Sequence, residues 1–512
     1  MTSVALATTT ASAVEAARAI AAGGGNAVDC ALATAIMSVN TEPSVCALAG
    51  GAYVTIWAPG DAPVTIDGNH VIPGLGLKES ERGQGKTTVR LDYGGGISTT
   101  VGAGSVAVPG TLAAFEKAWK RYGSIGWSDL FEPTIQAART GFPLPAACHY
   151  YLGYSADLIF SRSADGYRAL HDKDGKLREL GSPIHIPHLA DSLAAIAEEG
   201  AAAFYKGDIA QAISQHVRAG DGAMTLEDLA GYEAIERPAL VADIDSWHIA
   251  TNPPPAVGGA VLTAMLLACG DLHASDWDPD SLARLVHVQR ACLDFRRDHL
   301  DVTDDIDGEA ARLIFAAKQG QLLSQWSSSS TIHASAVDDT GLGCAITASS
   351  GYGSGEMPEG TGLWLNNALG EIELNRREVE SRPVGTRLPS NMAPTVARSD
   401  AAVLAIGSPG ADRITTAIHQ VLTNVLQFDM TLKDAIAHPR LHVDTSGEAD
   451  QLCAEPGLDL PELDLPLYTF PDISMYFGGV SVASYDRHKG FEVESDSRRE
   501  SGVFLSGTRP QP

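Results

Sequence analysis

Apolar and polar positions change rhythm twice along this chain. From Ala11 to Ala22 small apolar residues recur at helical spacing until Gly23-Gly24-Gly25 stops them. Asn26 then stands where an N-cap opens a second helical run to about Val39, ended by Glu42-Pro43. Gly50-Gly51 leads into an apparent strand, Ala52-Tyr53-Val54-Thr55-Ile56-Trp57, and a turn from Asp61 to Val64 precedes Thr65-Ile66-Asp67. The middle, Val108 to about Ala317, is largely helical in pattern, as in Thr111 to Tyr122, Ile184 to Glu199 and Leu282 to Asp298. Pro253-Pro254-Pro255 and Gly258-Gly259 interrupt it. After Thr331 the texture turns to strands and glycine turns. Ala336-Val337, Cys344-Ala345-Ile346-Thr347, Leu363-Trp364-Leu365 and Ala402-Val403-Leu404-Ala405-Ile406 read as buried strands. A helix is expected over Arg413 to Phe428, and the acidic stretch from Glu448 to Asp464 reads as a surface loop. Strands early and late with helices between predict a sheet built from both halves and covered by helices, an α+β arrangement.

At 512 residues the chain can bury a substantial core, and 44% hydrophobic with 19% charged residues is the composition of a globular protein. No run of eighteen apolar residues suggests a membrane span. Met1 to Ala17 carries no Lys or Arg and no compact apolar core, so no secretory signal is visible and the cytoplasm is the default location. Sixty-three acidic against 36 basic residues give a net charge of −27, which argues against nucleic acid or an anionic membrane as partner. Seven scattered cysteines without Cys-x-x-Cys or Cys/His spacing argue against a structural zinc site and a disulfide framework, and no organic-cofactor motif stands out.

Candidate chemistry concentrates where the texture changes. Four serines, Ser327 to Ser330, precede Thr331-Ile332-His333-Ala334-Ser335-Ala336-Val337-Asp338. A cut between Ser330 and Thr331 would create an N-terminal threonine. Its α-amine, with an ordinary pKa of about 8, can take the proton of its own hydroxyl. The octapeptide alone reads far more readily as an ordinary exposed strand. The rest of the chain decides the matter.

Gly24-Gly25-Asn26-Ala27-Val28-Asp29, Glu42-Pro43-Ser44, Val108-Pro109-Gly110-Thr111 and Phe204-Tyr205-Lys206-Gly207 occur in this order. Thr225-Leu226-Glu227-Asp228-Leu229, Gly353-Ser354-Gly355, Leu365-Asn366-Asn367, Met392-Ala393-Pro394-Thr395, Gly407-Ser408-Pro409-Gly410 and Phe477-Gly478-Gly479-Val480 continue it. Each piece is weak, but the collinear set resembles the γ-glutamyltransferase family of N-terminal-nucleophile hydrolases over nearly the whole chain. The resemblance implies a four-layer αββα sandwich. It also implies autoproteolysis into a large subunit, residues 1–330, and a small one, residues 331–512, which stay associated as one intertwined domain. Thr331 would attack the preceding carbonyl, and later a small-molecule amide, forming an acyl-enzyme resolved by water or an amine. No metal or cofactor is implied.

Further roles transfer with the resemblance. Gly410 and Ala411 match the family's Gly-Gly, whose N–H groups form the oxyanion hole, where losing a donor costs roughly 10²–10³ in rate. Ser349 matches a second hydroxyl supporting the nucleophile's amine, with Thr347 as a competing candidate. His333 reads as structural. The substrate pocket departs from the family. Asn69, in Asp67-Gly68-Asn69-His70, takes the place of the arginine that grips an α-carboxylate, a loss on the order of 1.5–3 kcal/mol if nothing replaces it. Glu371 stands near an expected aspartate, Ala368 replaces a polar residue, and Ser390-Asn391 replaces a Ser-Ser pair. These changes imply an active enzyme with specificity shifted from glutathione. Two alternatives are a conventional glutathione hydrolase with Arg387 or Arg413 gripping the carboxylate, and an uncleaved binding protein, for which Ile332 after the nucleophile gives some ground.

Overall fold

Two antiparallel sheets lie face to face in the computed structural model, which describes residues 2–92, 96–270, 272, 276–319, 331–371, 382–445 and 449–507. The first sheet has seven strands, in the order Gly502–Leu505, Val4–Thr8, Ile332–Asp338, Gly343–Ser349, Gly51–Trp57, Val64–Gly68 and Ile235–Pro238. The second has six: Gly490–Ser495, Ser481–Asp486, Ala402–Gly407, Thr395–Arg398, Trp247–Thr251 and Leu240–Ile244. Strand alternation sorts side chains between the layers. Val337 and Ala345 of the first sheet meet Val396, Val403, Ala405 and Ala483 of the second in an apolar seam. Ile332, Ala336, Ile346 and Ala348 face the other way, into the core that contains helix Ala27–Thr41. Beyond the second sheet, Leu404, Ile406 and Val482 pack with Leu262 of helix Val257–Cys269 and Ile418 of helix Arg413–Leu426. The layering is the αββα sandwich.

Helix Ala27–Thr41 is buried along its whole length, as befits a helix apolar on all sides. Its start is fixed by a reciprocal cap: Asn26 Oδ1 accepts from the Asp29 N–H at 3.0 Å, and Asp29 Oδ2 accepts from the Asn26 N–H at 3.0 Å. Segments from before and after residue 330 interleave in both sheets. Val4–Thr8 lies between Gly502–Leu505 and Ile332–Asp338, Gly343–Ser349 pairs with Gly51–Trp57, and Thr395–Arg398 pairs with Trp247–Thr251.

Four sequence expectations change. The helix expected from Ile184 begins only at Leu189, because Pro187 and the left-handed His188 (φ 65°) intervene. Leu363-Trp364-Leu365 is not a strand; its single bridge is Leu365 to Ala49. The acidic stretch after Glu448 is not all loop. It contains strand Gln451–Ala454, pinned by the buried Asp450, whose carboxylate pairs with Arg290 at 2.7 Å. The helical middle also hides the hairpin Leu240–Ile244 and Trp247–Thr251 of the second sheet.

Candidate active site

Thr331 directly precedes strand Ile332–Asp338, in which Ile332 pairs with Ala348. Carrying that register back one residue sets Thr331 opposite Ser349. Thr331 shares the parity of His333, whose ring lies against Gly407 of the second sheet. It therefore opens into the end of the space between the sheets. A pocket of about 410 Å³, including its mouth, lies there. Thr331, Ser349, Asn69, Glu371, Ser390 and Asn391 all line it, and Ala368 does too. Sequence reading passed over His70, Leu388, Pro389, Met392 and Ile414, which complete the wall. Only His70 carried a signal, as a titratable group beside Asn69 at a strand end. Ser330 lies outside the described residues.

The wall is built by pairing two distant segments. Strand Val64–Gly68 ends in Asn69-His70, where the Leu388 N–H donates to the His70 carbonyl at 3.0 Å and Asn69 Nδ2 to the Leu388 carbonyl at 2.8 Å. The Ser390 carbonyl accepts from Val257 and Gly258 at the start of helix Val257–Cys269, at 2.9 and 3.0 Å. Asn391 Nδ2 donates to Asp412 Oδ1 at 2.7 Å. Asp412 is in turn paired with Arg296 at 2.9 Å, and Arg296 with Asp301 at 3.1 Å, all three side chains buried. This chain of bonds ties the pocket wall to the turn before helix Arg413–Leu426.

That turn carries Gly410 (φ 123°) and Ala411 (φ 70°). Their carbonyls accept from Arg413 and Ile414 at 3.0 and 3.2 Å. Among the described residues, neither Gly410 nor Ala411 donates its N–H to another group. Neither residue is among the pocket-lining ones, although Ile414, one turn on, is. A left-handed alanine is uncommon and stores on the order of 1–2 kcal/mol. The loop is braced from behind, since Ser408 Oγ accepts from the Gly479 N–H at 3.0 Å. Asp496, holding Arg440 at 2.6 Å and Arg498 at 3.1 Å, accepts from the Val480 N–H at 2.9 Å.

His333 is fully committed. Nδ1 lies 2.8 Å from Thr347 Oγ1 and Nε2 2.7 Å from Ser335 Oγ, and burial pulls its pKa down to about 3. Thr347 spends its hydroxyl on this ring and does not line the pocket, so of the two candidate hydroxyls Ser349 is the one beside Thr331. Its Oγ accepts from the Gly351 N–H at 3.2 Å.

Neither arginine proposed as a substitute cation lines the pocket. Arg387 donates to Asp67 at 3.2 Å, the Asn69 carbonyl at 3.1 Å and Tyr232 Oη at 2.8 Å, and also meets the Glu233 carbonyl. Arg413 lies over the Tyr476 ring at 4.7 Å and donates to the Tyr476 carbonyl at 3.1 Å. Glu371 is the one charged residue among the described lining residues. No cluster of metal-binding side chains occurs among the described residues, and no described helix is long and apolar enough to cross a membrane.

An αββα sandwich with a threonine leading a central strand into an inter-sheet pocket is the architecture of the N-terminal-nucleophile hydrolases. Residues 13–506 match the model of the gamma-glutamyltranspeptidase family, and the chain belongs to that family. It is similar to the glutathione hydrolase proenzyme of Pseudomonas aeruginosa, 29% identical over 93% of this chain and 89% of the relative. The glutathione hydrolase proenzyme of Escherichia coli is 26% identical over 82% of this chain and 77% of its own length. In fold it resembles a cephalosporin acylase from Bacillus halodurans, with a TM-score of 0.78, 21% identity, and coverage of 98% and 96% of the two chains. The protein is an amide hydrolase or acyltransferase of this family.

Proposed function

We propose that this chain processes itself between Ser330 and Thr331 and then uses Thr331 as an N-terminal nucleophile on a small-molecule amide, with specificity shifted away from glutathione. In processing, the Thr331 hydroxyl adds to the Ser330 carbonyl. The C–N bond breaks, the proton passes to the freed amine, and water hydrolyses the ester to separate residues 1–330 from residues 331–512. In turnover the α-amine of Thr331 takes the hydroxyl proton, the oxygen attacks the substrate carbonyl, and the leaving amine departs with that proton. Ser349 orients the α-amine, and the N–H groups of Gly410 and Ala411 receive the developing oxyanion. The carrying observation is that Thr331, Ser349 and the four candidate substrate residues share one pocket near the Gly410-Ala411 turn.

The shift in specificity rests on the pocket's charge. A γ-glutamyl head has an α-carboxylate, which calls for a guanidinium or ammonium, and the described lining residues supply neither. The similarity to glutathione hydrolase proenzymes favours the conventional alternative. Intact mass under denaturing conditions is the first test: two masses, the smaller beginning at Thr331, with one full-length mass for Thr331→Ala. A Thr331→Ala variant that still cleaves would refute the nucleophile. Robust turnover of a γ-glutamyl anilide by the processed protein would select the conventional reading.

A further inference from the structure

Two pocket-lining residues each carry a buried polar atom with no hydrogen-bond partner among the described residues, Nε2 of His70 and Oδ1 of Asn391. Their chemical character is fixed by what their neighbours can do. The Leu388 carbonyl can only accept, so the Asn69 atom 2.8 Å from it is Nδ2. Asn69 therefore turns Oδ1 toward His70 Nδ1, 3.2 Å away, and Nδ1 carries the imidazole proton. Nε2 is left as a bare lone pair. The same reasoning holds for Asn391, because Asp412 is an acceptor held by Arg296, so the Asn391 atom at 2.7 Å is Nδ2 and Oδ1 is the acceptor left over. The hydroxyls of Ser349 and Ser390 can rotate to either role; these two atoms cannot.

The placement of His70 is enforced. A Cβ on Gly51, which pairs with Ser349, would come within 2.7 Å of both Asn69 Oδ1 and His70 Nδ1. Only glycine there leaves room for the imidazole, which is 4% exposed. Burial also lowers the pKa of His70 to about 3, so the ring stays neutral at any ordinary pH. An unpaired buried acceptor is costly in the folded protein, and that cost is recovered when a ligand donates to it.

Resting on the reading of Thr331 as nucleophile, we propose that His70 Nε2 and Asn391 Oδ1 determine specificity by selecting an acyl group whose head donates hydrogen bonds, an amine, amide or hydroxyl, and which lacks an α-carboxylate. A carboxylate head would bring lone pairs against lone pairs, with Glu371 adding negative charge to the same wall. A hydrocarbon head would leave both acceptors unpaired.

Four anilides of matched length separate the possibilities on processed protein: γ-glutamyl (amine and carboxylate), 4-aminobutyryl (amine only), glutaryl (carboxylate only) and butyryl (neither). The 4-aminobutyryl anilide is expected to exceed butyryl at least tenfold in kcat/KM, with glutaryl slowest. His70→Phe should collapse that ratio toward one. His70→Gln, which offers an acceptor again, should restore part of it, a pattern that general loosening of the pocket would not give. Intact mass and melting temperature check that each variant folds. Glutaryl or γ-glutamyl outrunning 4-aminobutyryl, or a ratio unchanged in His70→Phe, overturns the proposal. If processed protein turns over none of the four, the melting temperature with 4-aminobutyramide against butyramide decides: a shift by the former alone supports it, equal behaviour overturns it. Absence of the cut before Thr331 is a separate result, and it sinks the nucleophile instead.

Discussion

Replacing Arg296 by methionine removes one guanidinium from between two buried carboxylates. Arg296 Nη1 lies 2.9 Å from Asp412 and Nε 3.1 Å from Asp301, and all three side chains are 3% exposed or less. Methionine fills similar length, so lost packing is small and the electrostatic effect dominates. Breaking a buried pair by removing one partner costs about 3–5 kcal/mol. Here two carboxylates lose the same cation, so the upper half of that range is expected at pH 8. Asp301 and Asp412 can relieve the strain by taking up protons, which raises their folded pKa above the unfolded value of about 3.9. A carboxyl group so shifted favours the folded state at low pH and loses that contribution as pH rises through the folded pKa. The stability deficit of Arg296→Met should therefore shrink between pH 8 and pH 5. The assay is urea unfolding followed by tryptophan fluorescence, with variant and parent in the same state of processing. Because Asp412 anchors Asn391 and follows Ala411, kcat/KM on any working substrate should also fall at least tenfold. A variant as stable as the parent at pH 8, or a deficit that grows on acidification, would refute the argument.

His419 gives the opposite pH sign. It is fully buried in helix Arg413–Leu426, neither ring nitrogen has a hydrogen-bond partner among the described residues, and burial lowers its pKa to about 3. The unfolded chain takes up a proton near pH 6.5 that the folded chain refuses, so this group withdraws about 1.4 kcal/mol of stability per pH unit below 6.5. His419→Leu should be at least as stable as the parent at pH 7.5 and lose less on acidification to pH 4.5; parallel pH curves from chemical denaturation would count against it. At Ala411, φ of 70° admits glycine freely and a β-branched residue poorly. Ala411→Gly should keep activity within about threefold, while Ala411→Val should lose tenfold or more in kcat with KM little changed; equal rates for the two variants would mean that the turn's backbone does not act in the reaction.

Local features were the most legible in the sequence. Asn26 before an apolar run predicted the start of a helix because a cap acts within three residues, and the structure has that reciprocal cap. The strand after Thr331 was legible from its alternation. The hairpin Leu240–Ile244 and Trp247–Thr251 was missed although its signal was present: period-two alternation on both sides of Asp245-Ser246, with Asp245 at φ 50°. Leu363-Trp364-Leu365 misled because an apolar triplet fits a core loop as well as a strand; the Leu365 N–H and carbonyl bond across the loop to Glu356 and Ser354. For the site, the resemblance singled out six residues that the fold brings around one pocket, while Gly410 and Ala411 do not line it. What could not be read was partnership over distance. Nothing near Arg387 in the chain says that Asp67 and Tyr232 occupy it, and nothing near His70 says that Gly51 makes its seat.

Four strand seams join segments from opposite sides of Thr331: Gly502–Leu505 with Val4–Thr8, Val4–Thr8 with Ile332–Asp338, Gly343–Ser349 with Gly51–Trp57, and Thr395–Arg398 with Trp247–Thr251. In the uncut chain these pairings close as loops, and loop-closure entropy grows only slowly with length. If the chain is cut as proposed, the same pairings would hold two molecules, and refolding would become a second-order encounter. Neither piece can complete the first sheet alone, since each lacks neighbours that the other supplies. Folding would then be a memory that the uncut chain has and the cut pair has lost. Unfolding the pair at high dilution would be a one-way event, so the working life of the enzyme would be governed by the rate at which the seams open rather than by an equilibrium.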